Sequence, residues 1–230
     1  MKTYVKWISY SALMIVAVLL KYHYSTATPQ QLRWILSPTA AAVGICQGDS
    51  YSWETGEGYV TKDKKTIIAP ACAGINFLII VFCITSFKLL PLSVSRREII
   101  ANLLFGMAAS YIMTIIVNTV RITTASMLFR SSYTFLSGST AHRIHGTLIF
   151  ISMLFLYELF LRRLMPVKIK GGRKFVLLNY AVITLVIPIC LGFVKGYSKD
   201  FPLHMITILC TACVITVLTE VFSRFYRKEA

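Results

Sequence analysis

Long apolar runs separated by short, mostly basic clusters set the pattern of this chain. The runs cover residues 8–20, 66–90, about 99–120, 142–160, 175–194 and 203–222. From the second onward, each holds roughly the 20 residues needed to cross about 30 Å of hydrocarbon as a helix. Residues 32–46 are moderately apolar but broken by Pro38 and Gly44, too short to span and suited to an interfacial or re-entrant segment after the first helix. Residues 48–65 are rich in Gly and charge, as a solvated loop would be. The pattern predicts an all-α polytopic membrane protein of about six transmembrane helices, forming a single integral membrane domain over residues 1–230.

Composition strengthens that reading. At 56% hydrophobic and 14% charged, the chain has too little polar surface to coat a soluble globule. The net charge of +15 would suggest nucleic acid in a soluble protein, but here the basic residues fall between apolar runs, where the positive-inside rule accounts for them, so no nucleic-acid partner is expected. With the N-terminus inside, the inner segments carry 14 of the 24 basic and four of the nine acidic residues, against ten and five outside. That bias favours N-in, C-in. The basic start and first apolar run resemble a signal peptide, with Ser25-Thr26-Ala27 as a weak cleavage site. Because further spans follow, the run reads as an uncleaved first helix.

The second span carries residues that hydrocarbon does not require: Cys72-Ala73-Gly74 and then Asn76, near its outer end. Cys72 can be a nucleophile, and Ala73 and Gly74 leave room for a substrate to approach its sulfur. In this topology Asn118 and Arg121 close the third span on the same side, and His142 opens the fourth from it. Asn118 and Arg121 at i, i+3 share a helix face, and an Arg at that depth needs a partner or a wet cavity. Cys, His and Arg together suit acyl transfer through a thiol. The thiolate attacks a carbonyl, the imidazole moves the proton, and the fixed cation steadies the charge on oxygen.

The three clusters also resemble a family. Cys72-Ala73-Gly74, Asn118-Thr119-Val120-Arg121-Ile122 and His142-Arg143-Ile144-His145-Gly146 are similar to the exosortase/archaeosortase motifs C-[A/S]-G, N-x-x-R-[I/V] and H-x-x-x-G. The likeness covers about residues 38–160, the expected catalytic core, and the short length with the Cys-Ala-Gly-Ile-Asn-Phe run looks most like the exosortase K branch. The resemblance implies a transpeptidase or protease of the prokaryotic cytoplasmic membrane, with its active site on the extracytoplasmic side and no cofactor. Its substrates would be exported proteins ending in a short motif, a transmembrane helix and a basic tail. They would be cleaved through a Cys thioester and passed to an envelope acceptor. Cys72 would be the nucleophile, His142 the base or acid, Arg121 the electrostatic stabiliser and Asn118 a supporting hydrogen-bonding group. His145 is a second imidazole in the third motif, and the spacing to Gly146 favours His142.

Each piece has a plainer reading. Cys83, Cys190, Cys210 and Cys213 read as small apolar fillers. Cys46 lies outside and could pair with Cys72 as a disulfide, which would remove the nucleophile. Arg121 could snorkel at a membrane boundary. His142 and His145, with His204, could bind a metal, although no fourth ligand is placed to complete the site. The rivals to an enzyme with a cysteine nucleophile are a transporter or channel lined by these polar groups, and a metal-dependent membrane hydrolase. Glu158 is expected to pair with a nearby Arg.

Overall fold

The computed structural model describes residues 3–64, 66–130 and 138–164, with isolated positions between 182 and 210. The expected fifth and sixth spans, Cys190, Cys213 and His204 therefore lie outside the described residues. The chain divides into two compact units, Met1–Tyr133 with Val167–Ile169, and Thr134–Pro166 with Lys170–Ala230.

Five α-helices dominate: α1 (Thr3–Thr26), α2 (Arg33–Gln47), α3 (Ile75–Leu89), α4 (Arg96–Arg130) and α5 (Gly138–Leu164). Among the described residues, three segments are long and apolar enough to cross a membrane, namely Pro70–Leu92, Arg96–Leu128 and Ile144–Leu164. They match the second, third and fourth expected spans. α1 is not among them; its apolar run ends at Lys21 and gives way to Tyr22, His23 and Tyr24.

In the first unit α3 is the centre. Nearly every residue from Ile75 to Ser86 is buried, because α1 and α4 both pack on it. α4 meets α3 along a stripe of small and polar residues at every fourth position, Gly106, Ser110, Thr114 and Asn118, all buried. The hydroxyls of that stripe are satisfied locally: Ser110 donates to the Met107 carbonyl at 2.8 Å and Thr114 to the Ser110 carbonyl at 2.7 Å. With no large side chain between them the backbones come close, as helices in lipid require, since lipid offers no hydrophobic drive for their association. A Cβ on Gly106 would lie 2.9 Å from Ser86 Oγ.

α1 lays Ser9, Leu13, Ala17 and Lys21, again every fourth residue, against α3. Tyr10 stacks on Phe87 at 5.4 Å between centroids, and Leu13 shares a cluster with Phe82, Leu90 and Ile99. The outward residues of α1 and α4, among them Ile15, Leu19, Leu104, Phe105, Ile112 and Ile116, are apolar and exposed, as a lipid-facing surface would be. α4 starts at a capping box, in which the Glu98 amide donates to Ser95 Oγ and the Glu98 carboxylate accepts from Ser95 Oγ and the Val94 amide.

The segment expected to be interfacial or re-entrant is α2, a continuous 15-residue helix despite Pro38. Its buried face, Leu32, Ile35, Leu36, Thr39, Ala40 and Val43, packs on α4. Pro38 has no amide hydrogen to give the carbonyl four residues back, that of Trp34. Tyr111 of α4 supplies the missing donor: its hydroxyl binds the Trp34 carbonyl at 2.8 Å while its ring stacks on the Trp34 indole at 5.7 Å.

The expected solvated loop is instead a small antiparallel sheet, which corrects the all-α reading in this one place. Strands β1 (Tyr51–Glu54), β2 (Gly58–Thr61) and β3 (Ile67–Ile68) run in order, with Tyr51 opposite Thr61 and Tyr59 opposite Ile68. Trp53 packs edge-on against Tyr59, and the Arg33 guanidinium lies over the Trp53 ring at 5.2 Å. These aromatics tie the sheet to α2. The hairpin was hidden because its strands are four residues or shorter and its turn holds charge and glycine.

Tyr111→Phe should lower thermal stability in detergent by about 0.5–1.5 kcal/mol, the net worth of one hydrogen bond. In a Pro38→Ala background, where the helix can supply that donor itself, the cost should largely disappear. Equal losses in both backgrounds would contradict the substitution of Tyr111 for the missing amide.

Candidate active site

β3 runs into a single 3-10 turn, Pro70–Cys72, and then into α3 through Gly74. Pro70 is the first residue of that turn, where a missing amide hydrogen costs nothing. Gly74 caps α3 in the left-handed region at φ 67°, which a side chain would oppose. The left-handed residue breaks the helix two positions after Cys72, so the thiol stands on a turn ahead of α3.

A Cβ on Gly74 would also collide with the carboxamide of Asn118, lying 2.8 Å from its Oδ1. The first two motifs therefore touch. The space left by Gly74, expected to admit substrate, is filled by Asn118. Two contacts, Gly106 against Ser86 and Asn118 against Gly74, stand twelve residues apart on each helix, and they fix α3 and α4 in one antiparallel register.

The surroundings are dry and polar at once. Cys72 is 7% exposed, Ala73 and Asn118 are fully buried, and Arg121 is buried. Asn118 is expected to hydrogen-bond. Among the described residues, however, neither its Nδ2 nor its Oδ1 meets a hydrogen-bond partner. An amide so placed costs free energy in the resting protein, and such orphans gather where a ligand or water completes the set. Arg121 stands one turn further on. From Arg96 to Asn118 the helix rises about 33 Å, and from Asn118 to the end of the apolar span at Leu128 about 15 Å more, so these groups lie in the second half of the span.

Two neighbours from α1 carried no motif. The Lys21 ammonium, 7% exposed, donates to Asn76 Oδ1 at 2.6 Å and sits 5.8 Å from the centroid of the Tyr24 ring. The Tyr24 phenol lies within electrostatic range of both Arg121 and Cys72. The four-residue spacing of Ser9, Leu13, Ala17 and Lys21 was the available signal.

Cys46 and Cys72 are both free, the first exposed and the second buried, so the disulfide alternative does not hold in this structure. His142, His145 and Gly146 stand on α5, in the second unit, with His142 in the second turn of the helix and Gly146 one turn beyond it. Glu158 accepts from Arg162 Nε at 2.9 Å, the pairing expected for it. Among the described residues no three His, Cys, Asp or Glu side chains gather as a metal site would need. A groove of about 410 Å³ opens between α2 and the sheet, lined by Ser37, Gly44, Asp49, Tyr51 and Tyr59 among others; it does not include Cys72.

A family model for the transmembrane exosortase matches residues 12–159. The chain belongs to that family. The matched span takes in most of α1, all of α2 and the three motif clusters. No curated protein and no solved structure matches the chain. Membership makes this exosortase an integral membrane protein with a general role in processing the sorting signals of exported proteins.

Replacing Gly74 by Ala should destabilise the protein by about 1–3 kcal/mol through backbone strain alone, with a further loss from the collision with Asn118. Asn118→Ala should relieve the collision and leave the strain. A double-mutant cycle on thermal unfolding would show positive coupling between the two sites; simple additivity would mean that they do not meet.

Proposed function

We propose that this exosortase is a membrane-embedded cysteine transpeptidase that cleaves C-terminal sorting signals, each made of a short motif, a transmembrane helix and a basic tail. The observation that carries the reading is the contact of Gly74 with Asn118, which puts the Cys-Ala-Gly motif beside the Asn-x-x-Arg motif in a buried polar site. The short chain and the Cys-Ala-Gly-Ile-Asn-Phe run favour the exosortase K branch within the family.

In the proposed reaction the Cys72 sulfur, having given its proton to an imidazole, attacks the carbonyl carbon of the scissile peptide. A carbon–sulfur bond forms and the carbonyl π pair moves onto oxygen, where the Arg121 guanidinium and the Asn118 amide group steady it. Collapse breaks the carbon–nitrogen bond. The amine leaves with the proton returned by the imidazolium, and a thioester to Cys72 remains. An envelope acceptor or water then attacks the thioester, gives its proton to the imidazole, and releases the thiolate. His142 fills the imidazole role, and His145 stands one turn along as the alternative. The whole chain, residues 1–230, forms one membrane domain of about six spans with both termini inside. The site opens on the extracytoplasmic face of a prokaryotic cytoplasmic membrane.

The transporter or channel alternative wants its polar groups along a path near the midplane. The contact of the Cys-Ala-Gly motif with the Asn-x-x-Arg motif favours the thiol reading over it. The metal-dependent hydrolase alternative draws on His142, His145 and His204, and predicts loss of activity on chelation.

In the native host, Cys72→Ala and Cys72→Ser should each leave exported precursors uncleaved in the membrane while the variant stands at its normal level. Arg121→Lys should slow processing by about 100-fold or more, since an ammonium does not reproduce the guanidinium fork. Unchanged processing in the Cys72 variants would remove the thiol mechanism and bring the transporter reading forward.

A further inference from the structure

α1 and α3 run antiparallel in a fixed register. Tyr10 stacks on Phe87 at one end, and the Lys21 ammonium reaches Asn76 at 2.6 Å at the other. The two contacts are eleven residues apart on each helix. Asn76 is the second residue of α3, so Tyr24, three residues beyond Lys21, stands at the end of α3 that the Cys72 turn enters. The Tyr24 phenol also lies within electrostatic range of both Cys72 and Arg121, in agreement with that placement.

Lys21 fits this arrangement and is hard to explain otherwise. A buried ammonium in an apolar helix is costly unless it is paired, yet among the described residues no carboxylate meets it. Its contacts are the Asn76 carbonyl and the face of Tyr24. Those two contacts join α3, just after the cysteine turn, to the tyrosine ring. An ammonium over a tyrosine face is attractive, and more so where water is scarce.

We propose that Tyr24 is a hydrogen-bond donor of the Cys72 site, aimed at the oxygen of the carbonyl under attack, and that Lys21 is the positioning residue that holds it there. The assignment rests on the thiol chemistry proposed above. The phenol keeps its proton throughout and shares it with the oxygen as negative charge develops, alongside Arg121. This gives α1, which has none of the three motifs, a place in the reaction.

Two measurements separate the placement from the chemistry. For the placement, Tyr24→Cys is treated in membranes with a short bifunctional thiol reagent, and the peptides are read by mass spectrometry. A link between residues 24 and 72 is expected, with a His23→Cys variant as the control that faces away. For the chemistry, Tyr24→Phe should lower kcat for signal cleavage about 100-fold with KM little changed, as for loss of a donor used only in the transition state. Lys21→Met should follow in the same direction, and Lys21→Arg, which keeps a cation over the ring, should recover most of the rate.

Absence of the link, or a Tyr24→Phe enzyme as fast as the parent while Cys72→Ala is inactive, would overturn the proposal and leave the thiol mechanism standing. If Cys72→Ala itself continues to process, the thiol mechanism falls, and the donor role falls with it even where the link forms. A drop in both kcat and protein level for Lys21→Arg as well as Lys21→Met would make Lys21 a folding element only, and would overturn its positioning role.

Discussion

The close antiparallel approach of α3 and α4 is the constraint from which the first unit follows. It depends on what is missing at Gly106 and Gly74. At one end a side chain would drive into Ser86, at the other into Asn118. In lipid, where apolar side chains gain little by leaving the solvent, helices hold together by packing and hydrogen bonding, and a stripe of small residues is what lets backbones come near. Ser110 and Thr114 serve because they are small and turn their hydroxyls onto their own helix. The same periodicity that makes the contact delivers Asn118 to its end, so the packing stripe and the site are one feature.

The cost of that arrangement falls on its polar groups. A buried carboxamide with no hydrogen-bond partner among the described residues, a buried guanidinium and a buried ammonium each oppose folding unless something compensates. The compensation lies next door, in the almost continuous apolar core of α3 from Phe77 to Ile84 and in the cluster of Leu13, Phe82, Leu90 and Ile99. A rigid apolar half-helix can hold such a costly polar group as the Asn118 carboxamide in place. α2 shows the same economy on a smaller scale, since one tyrosine hydroxyl repairs the gap that Pro38 leaves.

Much of this could be read from the chain. Runs of about 20 apolar residues located α3, α4 and α5 because a helix in lipid has to satisfy its own backbone, which leaves few alternatives. Asn118 and Arg121 could be singled out because each is expensive in a membrane, and Cys72 because it stands in a Cys-Ala-Gly triplet that a lipid span does not require; the structure brings those three into one unit. The sheet could not be read, because its strands are too short for alternation to rise above a polar background. The length of α4 was missed too: the span was expected to end near residue 120, but the helix continues to Arg130, since Thr123, Thr124 and Ser126 still form helix when packed. Tyr24 and Lys21 escaped for a different reason. Their significance comes from register against α3, and register is a property of two helices.

Why the cysteine should stand ahead of a helix, and not within it, follows from the turn that carries it. Inside α3 a thiol would be held by the i to i+4 ladder and hemmed in by its neighbours. On the 3-10 turn before Gly74 it is released from that ladder, which begins only with the Leu78 amide bonding to the Gly74 carbonyl. The N-terminus of α3 has no side-chain cap, so its first amide hydrogens remain as the positive end of the helix dipole. In the proposed acyl transfer, negative charge builds on oxygen beside the same turn. The helix end and the Arg121 guanidinium then act with the same sign on one developing charge, and both are fixed before the substrate arrives. β3 and Pro70 set the direction from which the chain enters that turn. A short sheet thus has a structural reason to precede the cysteine: it fixes the geometry of a residue that stands outside the helix.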